Sequence, residues 1–168
     1  MKVAVLQFPG TNCEFDAKYA FSKLGCEVEV IWHKEGKLPE NTDLVVVPGG
    51  FSYGDYLRSG AIARFANIME DVKKFATNGG KVLGICNGFQ ILLEAGLLPG
   101  AMKRNDTLHF ISKYHTLKVI DNNNYFLRLL NVGDVVNIPV AHHDGNYYID
   151  EVGLKELEAN NQILLKYC

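Results

Sequence analysis

Three apolar segments, each followed at once by a glycine-bearing loop, constrain the fold of this chain most strongly. The segments cover residues 2–8, 43–50 and 81–85, and their loops read FPGTNC, PGGFSYGD and GICNG. The second and third segments are almost unbroken apolar runs, which is typical of strands that are buried on both faces of a parallel sheet. We therefore predict three strands whose following loops carry whatever chemistry the chain performs.

Helical patterns lie between these strands. Residues 14–24, 59–77 and 88–95 carry apolar side chains at helical spacing, and an alternating strand is predicted at 26–32. The succession of strands and helices predicts an α/β fold with a mostly parallel central sheet and helices on both faces. Right-handed crossovers then bring every strand-to-helix loop to one edge of the sheet, where ligands of open α/β sheets bind.

The sequence texture changes after Pro99. Residues 107–120 and 134–149 resemble β-strands, and Asp144-Gly145 is a dipeptide typical of hairpin turns. A short helix at 152–160 and an apolar strand at 162–168 follow. We expect an added β-hairpin region after the parallel sheet.

Composition and charge exclude several classes of protein. Lys and Arg number 17 against 19 Asp and Glu, so the chain lacks the basic excess of a nucleic-acid-binding protein. No apolar run approaches the roughly 18 residues of a membrane-spanning helix, and the N-terminal segment does not resemble a signal peptide. The four cysteines form no CxxC pair, and no histidine spacing completes a metal site. We expect a cytoplasmic protein with no metal site, no membrane contact and no nucleic-acid partner.

One cysteine stands where a strand turns directly into a helix. Cys86 is the centre of Gly84-Ile85-Cys86-Asn87-Gly88, the G-x-nucleophile-x-G pattern of a nucleophile elbow. Such a corner forces its central residue toward positive φ, exposes its side chain, and places it at a helix N-terminus, which favours a thiolate. The N–H group after the nucleophile, that of Asn87, is a natural oxyanion donor, and the PGGFSYGD loop is a candidate for a second.

Alternatives to this interpretation remain open at this point. Cys86 could be an ordinary structural cysteine in a tight turn. Cys13, which also precedes a predicted helix, is the second candidate nucleophile, although it lacks flanking glycines. The glycine-rich loops could bind a phosphate, but no G-x-G-x-x-G follows the first strand. A thiol hydrolase or stress protein of similar architecture is a further possibility.

Four stretches resemble class I glutamine amidotransferases, in family order and over nearly the whole chain. They read VAVLQFPGTNCEFD, DLVVVPGGFSYGDYLRSGAIAR, GKVLGICNGFQILLEAGLLPGAM and IPVAHHDGNYY. Within the family, the chain most resembles the small glutaminase subunits of a purine-biosynthesis synthase. The resemblance implies the flavodoxin-like class I glutamine amidotransferase fold, with residues 1–168 as a single domain.

The resemblance also assigns roles to individual residues. It implies that Cys86 attacks the side-chain amide of glutamine, forms a glutamyl thioester and releases ammonia. The oxyanion is expected to be held by the backbone N–H groups of Asn87 and of the turn at Gly50 and Phe51. The residues expected to contact glutamine are Gly49, Gln90 and His142.

The resemblance implies partners as well. The family passes ammonia to a large synthetase subunit, where ATP and magnesium are expected, and a small accessory subunit often joins; no cofactor is expected on this chain. The family places a His and a Glu of its triad in a later Pro-His-Pro-Glu element, so we expect the domain to be incomplete at its C-terminus. The alternative function is a catalytically incomplete glutaminase-fold subunit that binds or scaffolds only.

Overall fold

The computed structural model describes residues Met1–Cys168, which form two compact units, Met1–Ala101 and Met102–Cys168. Unit 1 is an α/β layer structure with a four-stranded sheet in the order β2-β1-β3-β4, and every neighbouring pair of strands is parallel. The predicted α/β architecture with a parallel sheet is thus confirmed. Its elements are β1 (Lys2–Gln7), α1 (Glu14–Lys23), β2 (Glu27–Trp32), β3 (Leu44–Val47), α2 (Asn67–Thr77), β4 (Lys81–Gly84) and α3 (Asn87–Glu94).

Both faces of the unit 1 sheet are buried, as the apolar runs predicted. Alternate residues of each strand point to opposite faces, so Val45 and Val47 face one side and Leu44 and Val46 the other. The first side packs against residues of α2 and α3, and the second against residues of α1. Each of these four side chains is at most 2% exposed.

Two helical predictions in unit 1 need correction. The helix predicted at 59–77 begins only at Asn67; residues 59–62 form turns, and Ala63–Phe65 form a short 3-10 helix. Gly60 has φ +81°, and a Cβ there would lie 2.8 Å from the backbone nitrogen of Ile91, so the chain passes too close to α3 for a helix to form. The helix predicted at 14–24 ends at Lys23, and three of the apolar side chains whose spacing predicted it, those of Phe15, Tyr19 and Leu24, are 62–77% exposed.

Unit 2 is built mainly from antiparallel strands. Strands β7, β6 and β9 form one sheet in that order, and β5 and β8 form a second. The side chain of Asp150 caps α4 by accepting a 2.7 Å hydrogen bond from the Gly153 N–H. The elements are β5 (Ala101–Lys103), β6 (Ile111–Val119), β7 (Val135–His142), β8 (Asn146–Tyr148), α4 (Glu151–Ala159) and β9 (Leu165–Tyr167).

The hairpin turn predicted at Asp144-Gly145 is wrong, because β7 and β8 lie in different sheets. The physical reason is Asn105, whose side-chain oxygen accepts a 3.0 Å hydrogen bond from the Gly145 N–H. The Asn105 N–H also donates to the His143 carbonyl at 2.8 Å. The connection therefore folds onto Asn105 instead of closing on itself. None of the helices is both long enough and apolar enough to span a membrane.

Candidate active site

Cys86 occupies the corner between β4 and α3. Its backbone has φ 53° and ψ −112°, a combination that residues other than glycine rarely adopt. Such a conformation costs about 1–3 kcal/mol and persists only when the surrounding structure enforces it. The residue is exposed and carries a free thiol. The positive φ predicted for this corner is confirmed.

The two glycines of the elbow are explained by close packing of α3 on the sheet. A Cβ at Gly88 would lie 1.8 Å from the carbonyl oxygen of Val47, at the end of β3. A Cβ at Gly84 would lie 2.7 Å from Leu92 Cδ1 and 2.9 Å from the backbone of Gly88. Because no side chain fits at either position, the first turn of α3 rests directly on the strand ends and holds Cys86 in its strained conformation.

Three loops meet around Cys86. The loops after β1 and β3 run side by side, since Thr11 and Gly50 form an isolated antiparallel bridge and the Cys13 N–H donates to the Gly49 carbonyl at 3.2 Å. A Cβ at Gly49 would lie 3.4 Å from Cys86 Cβ and 3.6 Å from Cys13 Sγ. The meeting point lies at the carboxyl edge, beside the point where the strand order reverses between β1 and β3. Ligands of open α/β sheets bind at such a point.

The structure distinguishes among the expected oxyanion donors. The N–H groups of Asn87 and Gly50 donate no hydrogen bond within the chain. The Phe51 N–H, by contrast, donates to the Gly10 carbonyl at 2.9 Å. The expectation that the Phe51 N–H is an oxyanion donor is therefore corrected: this N–H holds the β3 loop against the β1 loop. Gly50 keeps the N–H that a substrate oxygen can use.

A buried polar network joins the β3 loop to α3. The Asn87 side chain accepts hydrogen bonds from the Ser52 N–H at 3.1 Å and the Ser52 hydroxyl at 2.6 Å. Its amide nitrogen donates to Asp55 Oδ1 and to Gln90 Oε1, each at 3.0 Å. Gln90, an expected glutamine contact, lies one helical turn after Cys86. Its side chain is 8% exposed and bonded to Asn87, so its amide has a defined orientation. Sequence patterns gave no signal for this network.

A second anchor of the β3 loop was also missed. Tyr53, Gly54 and Asp55 have φ values of 54°, 68° and 52°, so three consecutive residues are left-handed. The Tyr53 hydroxyl lies 2.6 Å from His33 Nδ1, and both rings pack with Phe8. His33 is only 8% exposed. The strained turn is thus held by His33, the residue after β2, as well as by Asn87 of α3.

We expect this His33 anchor to make stability depend on pH. Burial, and secondarily the charge of Lys34, lower the pKa of His33 below its ordinary value of 6.5. The unfolded chain therefore takes up a proton first as the pH falls, so the contribution is complete above pH 6.5 and is lost as the pH falls through the folded-state pKa. Thermal unfolding between about pH 7.5 and 5.5 should show a steeper loss in the native protein than in His33→Gln.

The matched control for this measurement is His109→Gln, which alters an exposed side chain. It should keep the native pH dependence. An identical slope for His33→Gln and the native protein would contradict the assignment of the pH dependence to His33.

Cys13 is a poorer nucleophile than the sequence alone suggested. Burial raises the pKa of its thiol, and the charges of Asp16, of Cys86 as a thiolate and of Glu14 raise it further, in that order. Because a raised pKa leaves less thiolate near neutral pH, Cys13 is disfavoured for attack. Cys13 is a neighbour of the candidate nucleophile, because both cysteine side chains lie next to Gly49.

His142 lies in unit 2, at the end of β7. Its ring nitrogen Nδ1 is 2.9 Å from Asn105 Oδ1, and Asn105 is 4% exposed. Burial lowers the pKa of His142, while Asp144 raises it and His115 lowers it. The adjacent His143 is exposed and contacts the edge of Phe110. The two neighbouring histidines thus have different surroundings.

A parallel sheet with a cysteine elbow at its carboxyl edge is an arrangement that glutamine amidotransferases share. A family model described as a CobB/CobQ-like glutamine amidotransferase domain matches residues 1–168. The chain therefore belongs to the CobB/CobQ-like glutamine amidotransferase family. The resemblance inferred from the four sequence stretches is confirmed.

The relatives are more specific. The chain is 69% identical to the phosphoribosylformylglycinamidine synthase subunit PurQ of Sulfurimonas denitrificans, over all of this chain and 75% of that protein. It is 64% identical to the PurQ subunit of Wolinella succinogenes, over 99% of this chain and 77% of that protein. A chain in the solved structure of PurLQS from Thermotoga maritima matches with a TM-score of 0.88 and 39% identity, over 99% of this chain and 74% of that one.

Proposed function

We propose that the chain is the glutaminase subunit of phosphoribosylformylglycinamidine synthase and that Cys86 is its nucleophile. The observation that carries the proposal is the elbow: a strained, exposed cysteine flanked by two N–H groups, of Gly50 and Asn87, that have no partner in the chain. The names of the relatives, at 64–69% identity, support the particular synthase. The ammonia would serve the conversion of formylglycinamide ribonucleotide to formylglycinamidine ribonucleotide.

The chemistry follows from the elbow. The Cys86 thiolate attacks the side-chain carbonyl carbon of glutamine and forms a C–S bond. The carbonyl oxygen becomes an oxyanion, which accepts hydrogen bonds from the Asn87 and Gly50 N–H groups. The oxyanion then collapses to a carbonyl, the C–N bond breaks, and the leaving nitrogen departs as ammonia with the proton that the Cys86 thiol had released to solvent. Water adds to the thioester carbonyl, the C–S bond breaks, and glutamate and the free thiol result. Preorganised donors of this kind act mainly on the transition state, so they raise kcat.

Within unit 1, the glutamine contacts in the proposal are Gly49 and Gln90. Gly49 lies against Cys86, where a small residue leaves room for the substrate carbonyl. The Gln90 amide has its oxygen bonded to Asn87, which fixes the direction of the amide plane. The role of His142, which lies in unit 2, stays a prediction from the sequence resemblance.

The proposed partners are a large synthetase subunit and a small accessory subunit. The structurally similar chain from Thermotoga maritima lies in a PurLQS assembly, which supports three kinds of subunit. ATP and magnesium would bind on the synthetase, where the amination occurs. The four free thiols favour a reducing compartment, and we place the protein in the cytoplasm.

Labelling with an electrophilic glutamine analogue tests the nucleophile. We expect the label on Cys86 and not on Cys26, because Cys86 is exposed beside the two oxyanion donors, whereas Cys26 is half-buried. Peptide mass spectrometry after stoichiometric labelling identifies the modified residue, and excess glutamine should protect it. Preferential labelling of Cys13 would contradict the assignment. Labelling without glutamine turnover in the assembled synthase would favour the binding or scaffold alternative.

A further inference from the structure

The Asn87 side chain uses its whole hydrogen-bonding capacity on the β3 loop and α3. Its oxygen accepts two hydrogen bonds, both from Ser52, and its nitrogen donates two, to Asp55 and Gln90. The side chain is nearly inaccessible, since Asn87 is 1% exposed. An amide buried with every site satisfied is fixed in position, because losing any one partner leaves a desolvated polar group.

The orientation of this amide is set by its neighbours. The Ser52 N–H can only donate, so it requires the oxygen of Asn87. The Asp55 carboxylate can only accept when ionised, so it requires the nitrogen. The network therefore tolerates only one arrangement of oxygen and nitrogen. A carboxylate at position 87 would still accept the two hydrogen bonds from Ser52. It would place a second acceptor, instead of a donor, against Asp55 and Gln90.

The amide also spans the strained part of the β3 loop. Ser52 and Asp55 lie at the two ends of the left-handed turn in which Tyr53, Gly54 and Asp55 have positive φ. A left-handed conformation costs roughly 1–2 kcal/mol for each residue that is not glycine. Because Asn87 binds both ends, it holds the turn in this conformation. The same turn begins two residues after Gly50, which carries the proposed second oxyanion donor.

We propose that Asn87 is a positioning residue that joins the two halves of the oxyanion hole through its side chain. One donor, the Asn87 N–H, belongs to α3, and the other, the Gly50 N–H, belongs to the β3 loop. Donors must lie within about 2.7–3.1 Å of the developing oxyanion, so a small shift between the two elements removes one of them. The inference rests on the proposed glutaminase function.

The Asn87→Asp variant tests this role. It keeps the backbone N–H and the size of the side chain, but places a second carboxylate oxygen against Asp55 Oδ1 and Gln90 Oε1. Repulsion should displace the loop, and we expect glutaminase kcat in the assembled synthase to fall about 100-fold, as for loss of one oxyanion donor. KM should change by a smaller factor than kcat, because the oxyanion exists only after attack on the substrate and any change in KM reports the disturbed Gln90 contact.

A reciprocal exchange provides the decisive comparison. The double variant Asn87→Asp with Asp55→Asn restores one donor and one acceptor to the pair and has the net charge of the native chain. The Gln90 amide can turn to donate to the new carboxylate. We expect the double variant to recover at least about ten-fold of the lost kcat, as expected for coupled residues in one network.

Two further measurements separate positioning from general destabilisation. The limiting rate at high pH with which iodoacetamide alkylates Cys86 should be unchanged in Asn87→Asp, because that reaction forms no oxyanion. Asn122→Asp is the matched control: its amide nitrogen donates to the Leu130 carbonyl in unit 2, and kcat should stay native. Should Asn87→Asp fail to fold, Ser52→Ala removes a single hydrogen bond and should lower kcat about 2- to 10-fold.

The outcomes separate this inference from the proposed function. Native kcat in Asn87→Asp, or in Ser52→Ala where Asn87→Asp does not fold, together with inactivity of Cys86→Ala, would overturn the positioning role and leave the glutaminase assignment intact. A loss in Asn87→Asp that the exchange does not recover, accompanied by slower alkylation, would also overturn it in favour of a merely structural role. Glutamine-dependent activity of Cys86→Ala would refute the proposed function itself.

Discussion

Cys86→Ala is expected to lower glutamine-dependent synthesis in the assembled synthase by about a thousand-fold or more, because loss of a covalent nucleophile removes the whole two-step route. Synthesis from added ammonium salts should remain near the native rate, since the proposed function assigns that amination to the synthetase subunit. The exposed position of Cys86 means that removing its sulfur leaves no buried cavity. The two rates, measured on the same preparation, give the ratio that tests the prediction.

Cys26→Ala is the control for this experiment. It makes the same chemical change at a thiol that packs on the face of the unit 1 sheet that α1 covers. We expect it to retain both glutamine-dependent and ammonia-dependent synthesis. Loss of both activities in Cys86→Ala would indicate a structural role for the elbow and would contradict the assignment of Cys86 as nucleophile.

The features that sequence alone predicted are those that local patterns determine. The apolar runs of β3 and β4 and the glycines around Cys86 encode a buried parallel sheet and a strained corner within a few residues of each other. The parallel pairing then follows from right-handed crossovers. The fold class, the position of the strand-to-helix loops at one edge of the sheet and the conformation of Cys86 were therefore accessible before the structure.

The features that sequence missed depend on contacts between distant segments. Asn87 meets Ser52 across 35 positions, and Tyr53 meets His33 across 20, so no periodic pattern records either pair. The family resemblance implied that the Phe51 N–H donates to an oxyanion, but this N–H donates to the Gly10 carbonyl in the β1 loop. The loops are one interlocked structure, and their hydrogen bonds cannot be assigned one loop at a time.

The same interlocking makes Gly88 the position at which a single methyl group should do most damage to the fold. A Cβ there would lie 1.8 Å from the Val47 carbonyl oxygen and 2.5 Å from the Val47 carbonyl carbon. These are backbone atoms of a buried strand, so no rotamer change relieves the overlap. We expect Gly88→Ala to lower the free energy of unfolding by about 3 kcal/mol or more, and the melting temperature by roughly 6–12 °C.

Gly36→Ala is the matched control, because Gly36 is exposed, does not have positive φ, and has no atom within 4 Å of an added Cβ. Its free energy of unfolding should stay within about 0.5 kcal/mol of the native value. Thermal and urea unfolding of both variants measure the difference. If Gly88→Ala were as stable as Gly36→Ala, α3 would not rest on the end of β3. The strained conformation of Cys86 would then need another source, since it is this contact that leaves the corner no room to relax.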